Sequence, residues 1–193
     1  GGGAPINPAM SAGGSKIPSR DKSYDQFQPK ISLTTTAENT TIYASYGVGF
    51  RSGGFNSSGS AALINSQLNI PVSAGLGVSD SFNKEVSKSF EVGFKGRYLD
   101  GRLAINGAIF ETEVDDNQFF EFFAGPWGLL RVVTSIDQLD ISGSELDFKY
   151  ALTDNIRLDG GIGYTDGEIK KNAHRPNTVG NNAPLAPEHT YNL

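Results

Sequence analysis

From Tyr24 onward the chain alternates apolar and polar residues with a period of two, and this pattern recurs in six segments divided by turn-forming residues. Such a period puts successive side chains on opposite faces of a strand, so the chain is committed to sheet with one apolar and one polar face. The first segment, 24–36, sets Ile31 and Leu33 against Lys30 and Ser32. In 40–51, Ile42, Ala44, Tyr46, Val48 and Phe50 oppose Thr41, Tyr43, Ser45, Gly47 and Gly49. In 86–99, Phe90, Val92, Phe94 and Tyr98 oppose Glu91, Lys95 and Arg97. A fourth segment runs from Arg102 to about Phe122, and a fifth spans 130–152 with a bulge expected near Gly143. The sixth, 156–169, sets Ile156, Leu158, Ile162 and Tyr164 against Arg157 and Asp159; a seventh starts near Glu188. Residues 1–23, rich in Gly, Ser, Pro and Ala, read as a loop segment, and 24–193 as the sheet.

The connections alternate in length. Ala37–Asn39, Asp100-Gly101 and Thr153–Asn155 are short; 52–83, 122–130 and 170–185 are longer. In an up-and-down meander all short turns then lie at one end and all long loops at the other, as in outer-membrane barrels. No run of about 18 apolar residues offers a transmembrane helix, but a transmembrane strand needs only about 9–11 residues, half of them facing a polar lumen. The mean hydropathy of -0.30 fits such a wall.

Alternation also suits a soluble β-sandwich, with its apolar faces turned inward. Aromatic placement favours the membrane. Phe90 and Tyr98 bracket the third segment, and Tyr150 and Tyr164 flank a short-turn hairpin. From Phe90 to Tyr98, at about 3.3 Å per residue and about 40° of tilt, the strand rises about 20 Å, near the apolar height between aromatic girdles. Six strands and the start of a seventh do not close an even-numbered barrel, and open edges are not tolerated in lipid. The expectation is an all-β, antiparallel, up-and-down transmembrane barrel present in part, with both chain ends read as cut points.

Several function classes are disfavoured. A net charge of -5 without a basic block argues against nucleic-acid binding. The absence of Cys removes thiolate metal sites and a thiol nucleophile. His174 and His189 have no companion metal motif, and no nucleophile–base set can be assembled, so neither an enzyme nor a cofactor is expected. Gly47-Val-Gly-Phe-Arg-Ser-Gly53 matches a dinucleotide fingerprint only in its glycines, since no helix pattern comes after it.

Tyr46-Gly-Val-Gly-Phe-Arg-Ser-Gly-Gly-Phe-Asn56, Gln28-Pro-Lys-Ile-Ser32, Phe90-Glu-Val-Gly-Phe-Lys-Gly-Arg97 with Asp100-Gly101-Arg102-Leu103, and Gly143-Ser-Glu-Leu-Asp147 mark out the sheet from its first strand to its fifth. Together, in their order and spacing, they resemble the β-barrel of TonB-dependent outer-membrane receptors, over about residues 24–193. The resemblance implies a barrel of about 22 strands with a plugged lumen in a Gram-negative outer membrane. It implies energised uptake of a scarce ligand, most often an iron–siderophore complex, with lipid, a plug domain and the TonB complex as partners. No plug, TonB-contacting box or signal peptide is recognisable here. A passive porin-type channel and a soluble β-sandwich module are the rival readings.

Candidate ligand contacts lie at the long-loop end. Arg51 is placed to meet an anionic ligand or, more plainly, to pair with a neighbouring carboxylate. Phe119, Phe120, Phe122, Phe123 and Trp127 form a dense aromatic run suited either to stacking on a ligand or to packing against loops. Phe55 and Arg131 complete the set. Glu111, Glu113, Asp115 and Asp116 lack calcium-loop spacing and read as a solvated strand extension above the membrane.

Overall fold

The computed structural model describes residues 19–67, 77–126, 128–184 and 186–193. Most of segment 1–23, part of the 52–83 connection, and Trp127 therefore lie outside the described residues. The strands are β1 (Lys30–Ala37), β2 (Thr40–Arg51), β3 (Gly54–Phe55), β4 (Ser81–Phe82), β5 (Glu85–Tyr98), β6 (Leu103–Gly125), β7 (Gly128–Ala151), β8 (Arg157–Lys171) and β9 (His189–Asn192). A helix, α1 (Ser60–Gln67), lies between β3 and β4. Seven strands form an antiparallel meander in the order β1-β2-β5-β6-β7-β8-β9, and β3 and β4 form a separate two-stranded ribbon. β1 and β9 are the two edges of an unclosed sheet.

The first strand begins at Lys30 rather than 24. Residues before it are drawn off the sheet: the Tyr24 hydroxyl donates to Phe82 O at 3.0 Å, and Lys84 Nζ donates to the Asp25 carbonyl and, at 2.8 Å, to Gln26 Oε1. The expected two-residue Asp100-Gly101 turn is four residues long, because Tyr98 pairs with Leu103. Leu99, Asp100 and Gly101 all have positive φ, of 55°, 55° and 85°. The 122–130 connection is not a long loop. β6 and β7 stay paired up to Gly125–Gly128, so the hairpin itself supplies the extension. The bulge expected near Gly143 is absent there, since Gly143 pairs regularly with Phe110 and Thr165. The irregularity lies between Gln138 and Leu139.

Register fixes the two faces, because directly paired residues point the same way. One row runs Ile42, Phe94, Gly107, Leu146, Ile162, Tyr191, and the next Leu33, Ala44, Val92, Ile109, Ser144, Tyr164, His189. This face is apolar yet open: Ile109 is 62% and Ile162 63% exposed. The opposite face carries Lys95, Glu145, Asp147, Lys149, Arg157 and Asp159. Exposed apolar residues across a whole sheet face are what a lipid-facing wall requires, with charges left for the lumen.

Towards the long-connection end the polarity inverts. The outer face becomes charged, with Lys88 Nζ 2.6 Å from Glu113 and 3.0 Å from Asp115, and with Asp140 and Glu168 in the same row as Glu113. The inner face becomes apolar: Val114, Leu139 and Ile169 are buried beneath Ala183 of the β8–β9 connection. The inversion places the rim of the apolar band at about the Phe90–Glu111 row.

Aromatic rings close over cross-strand glycines throughout the sheet. A Cβ on Gly107 would lie 2.6 Å from the Phe94 ring; on Gly93, 2.5 Å from Tyr43 Oη; on Gly143, 2.5 Å from the Phe110 ring. Each of these is a directly registered pair. The abundance of Gly and aromatics is thus one packing device, in which the ring covers backbone the glycine leaves bare.

Candidate functional site

Above the apolar band β6 and β7 continue as a hairpin, and a kink divides it. The β6–β7 ladder skips Asp116 and the facing Asp137, and Asp116 adopts φ 52°. A left-handed residue inside a strand rotates the residues beyond it. Past the kink the alternation is reversed: Phe119 packs on the Val114–Ile136–Leu139–Ile169 cluster, and Phe123 and Leu130 pack on Ala61 and Ile64 of α1, Val78 and Val132. Phe120 and Phe122 point the other way and are 45% and 62% exposed, with Arg131 Cζ 4.5 Å from the Phe120 ring centroid.

The aromatic run is therefore two groups. Phe119 and Phe123 hold the connections down. Phe120, Phe122 and Arg131 form a joint exposed aromatic–guanidinium surface. Trp127 lies outside the described residues. The guanidinium of Arg51 pairs with Glu85, whose carboxylate also accepts from Gln118 N at 2.7 Å and Asn117 Nδ2 at 3.2 Å, tying β2 and β5 to β6. Phe55 lies in the β3–β4 ribbon under Arg20, 4.7 Å from its ring centroid.

Two connections cover the inner side of the hairpin. The β2–β5 connection is pinned by Asn56, and the β8–β9 connection by a hydrogen bond from Ala173 N to Asp137 and by Arg175 Nη2 to Glu121 Oε1 at 3.0 Å. Between them and the kink is a polar hollow of about 260 Å³, lined in part by Ser79, Asn83, Asp116, Ser135, Asp137 and His174. Burial pushes the Asp116 carboxyl above its ordinary range, against a hydrogen bond from Asn83, and the charges of Asp137 and Asp115 add to the rise. Among the described residues no group of three or more His, Cys, Asp or Glu is placed to hold a metal ion. His189 instead stacks at 5.3 Å and 38° on Tyr164, in the apolar face. The larger apolar hollow, bordered by Ile42, Val92, Phe94 and Ile109, belongs to that same outer face and not to a ligand site.

Sequence reasoning did not single out Asn56, Asp137 or the placing of His174 beside the kink. Asn56 in its Gly-rich stretch reads as an ordinary turn residue and Asp137 as one more polar position of a strand, and only the folded register brings these together.

The family model "TonB dependent receptor-like, beta-barrel" matches residues 7–193. A probable TonB-dependent receptor, BfrD of Bordetella pertussis, is 30% identical over 120 residues, covering 61% of this chain and 15% of that protein. The ferric yersiniabactin uptake receptor FyuA of Yersinia pestis superposes with a TM-score of 0.57 at 18% identity, over 85% of this chain and 21% of its own. The copper transporter OprC superposes with a TM-score of 0.53 at 21% identity, over 74% and 20%. The chain thus spans about a fifth or less of the length of these relatives. At such identities the structures speak for the fold, while the family match covers nearly the whole chain. The open apolar face, the charged opposite face and that match agree: this chain is barrel wall of the TonB-dependent receptor family, whose members are outer-membrane transporters and not enzymes.

Proposed function

We propose that the protein carrying this chain takes up a scarce extracellular ligand across the outer membrane, energised through TonB and a plug domain in its lumen, with a ferric siderophore as the ligand. The observation that carries the proposal is the family match over residues 7–193. The siderophore assignment is supported by the similarity to FyuA and by the chemistry of Phe120, Phe122 and Arg131. Two exposed rings beside a guanidinium suit an anionic chelate with aromatic parts, which can stack and pair with charge at once. The similarity to OprC makes copper the competing cargo.

The test is uptake by the complete protein, expressed in a strain stripped of its other receptors, with and without TonB. Radiolabelled ferric catecholate, ferric hydroxamate and copper are the probes. Uptake of a ferric chelate that vanishes without TonB is the expected result. Uptake of copper alone would overturn the ligand assignment. Uptake that persists without TonB would replace the transporter by a passive channel.

A further inference from the structure

Asn56 is 6% exposed, and every polar group it has is engaged. Its side-chain amide mimics a strand residue against β7: Nδ2 donates to Val133 O at 2.9 Å, and Oδ1 accepts from Val133 N at 2.8 Å. The second Nδ2 hydrogen goes to Ser79 O at 2.9 Å. Its backbone N–H donates to Asp80 O at 2.9 Å. Its carbonyl accepts from Arg20 Nη2 at 2.8 Å, in a residue that also lies over Phe55 and 3.9 Å from Asp80. Three pieces distant in sequence thus meet at one residue: the segment before β1, the two ends of the β2–β5 connection, and β7 of the projecting hairpin. β7 is available because β8 stops pairing with it at Gln138, leaving Val133 with backbone groups that no further strand claims.

We propose that Asn56 is a clasp that makes these three pieces one rigid unit at the long-connection end of the wall. This deepens the uptake reading, on which the functional meaning of that end rests; the clasp itself is a claim about coupling and needs no ligand to be tested. The chemistry leaves little latitude. Aspartate has nearly the same shape but no donors, and would set a carboxylate oxygen against the carbonyls of Val133 and Ser79. A serine hydroxyl is too short to pair with both backbone groups of Val133.

The experiment is native-state hydrogen exchange on the complete protein in outer-membrane vesicles. In the unsubstituted protein the amides of Asn56, residues 77–83 and Val133 should open in a single step with a common denaturant dependence. The amides of 20–26 donate no hydrogen bond to a described residue, so this segment is followed by tryptic cleavage after Lys22, which should require that same step. Asn56→Asp should speed exchange about tenfold at those amides, speed cleavage after Lys22 with them, and leave the strands of the apolar band unchanged. The telling segment is 20–26, to which the Asn56 side chain makes no hydrogen bond. Arg20→Met should speed cleavage after Lys22 alone. Cleavage after Lys22 that is unchanged in Asn56→Asp, or separate opening steps in the unsubstituted protein, would overturn the clasp. The second of these decides the matter even if Asn56→Asp fails to assemble. Loss of uptake activity with the single opening step intact would count against the transport reading and not against the clasp.

Discussion

Val92 and Lys95 lie three positions apart in β5 on opposite faces, and they separate the two solvents of the sheet. Val92→Arg puts a charge in the apolar band and should cost about 2–4 kcal/mol in urea titrations of the complete protein refolded into vesicles. Lys95→Arg keeps the charge on the lumen side, 5.6 Å from the Tyr43 ring, and should be nearly silent in the same titration. If both are silent, the face assignment is wrong. Asp116 makes a different prediction. A carboxyl whose folded pKa is raised is less stable ionised in the fold than out of it, so it opposes the fold at neutral pH and stops doing so as pH falls through the raised value. Asp116→Asn should therefore protect hairpin amides from exchange at neutral pH, and the difference from the unsubstituted protein should vanish on acidification. A difference that grows in acid would refute the burial argument. The same position explains why the Phe119–Phe123 run is only half legible in sequence. Its composition announces an aromatic site, but strict alternation across Asp116 assigns the wrong faces, and no sequence signal marks a left-handed Asp inside a strand.

At the level of elements, the long strands are legible because period two persists in them and Gly- or Asn-containing turns punctuate them. β2, β5 and β8 lie within two residues of the bounds the alternation implies. α1 is not legible: Ser-Ala-Ala-Leu-Ile-Asn-Ser-Gln has no apolar stripe, and it is held by Ala61 and Ile64 packing on Val132 of β7. The tip of β6–β7 reads as loop because Gly125 and Pro126 suggest an early turn, whereas pairing such as Phe122 with Arg131 carries the ladder further. The glycine–aromatic pairs give a graded test. The atoms nearest a Cβ on Gly107 all belong to the Phe94 ring, which can shift, but on Gly143 it also lies 2.4 Å from the Tyr164 carbonyl oxygen, which cannot. Gly143→Ala should cost about 1–3 kcal/mol, and Gly107→Ala distinctly less, in the urea midpoint of the complete protein. Equal costs would mean that the rings, not the backbone, set the spacing.

At the scale of the whole sheet, the described residues leave two unpaired edges, and a face on which Ile31, Leu33, Ile109 and Ile162 are all more than half exposed. Produced without further strands, this chain should require detergent and should not show the heat-dependent gel mobility of a closed barrel; a monodisperse, detergent-free species would contradict the wall assignment. The family and the wall are legible in the sequence because both are written in local patterns. The way the connections converge on the hairpin is not, since it depends on contacts between residues as far apart as Asn56 and Val133. The kink at Asp116 and Asp137 carries one more consequence. Because the ladder resumes in the same register after skipping that pair, residues added or removed above it in matched twos leave every position below unchanged. The hairpin tip is in this sense an interchangeable part: a graft made just beyond the kink could bring a foreign tip to the cell surface without disturbing the lipid seal beneath.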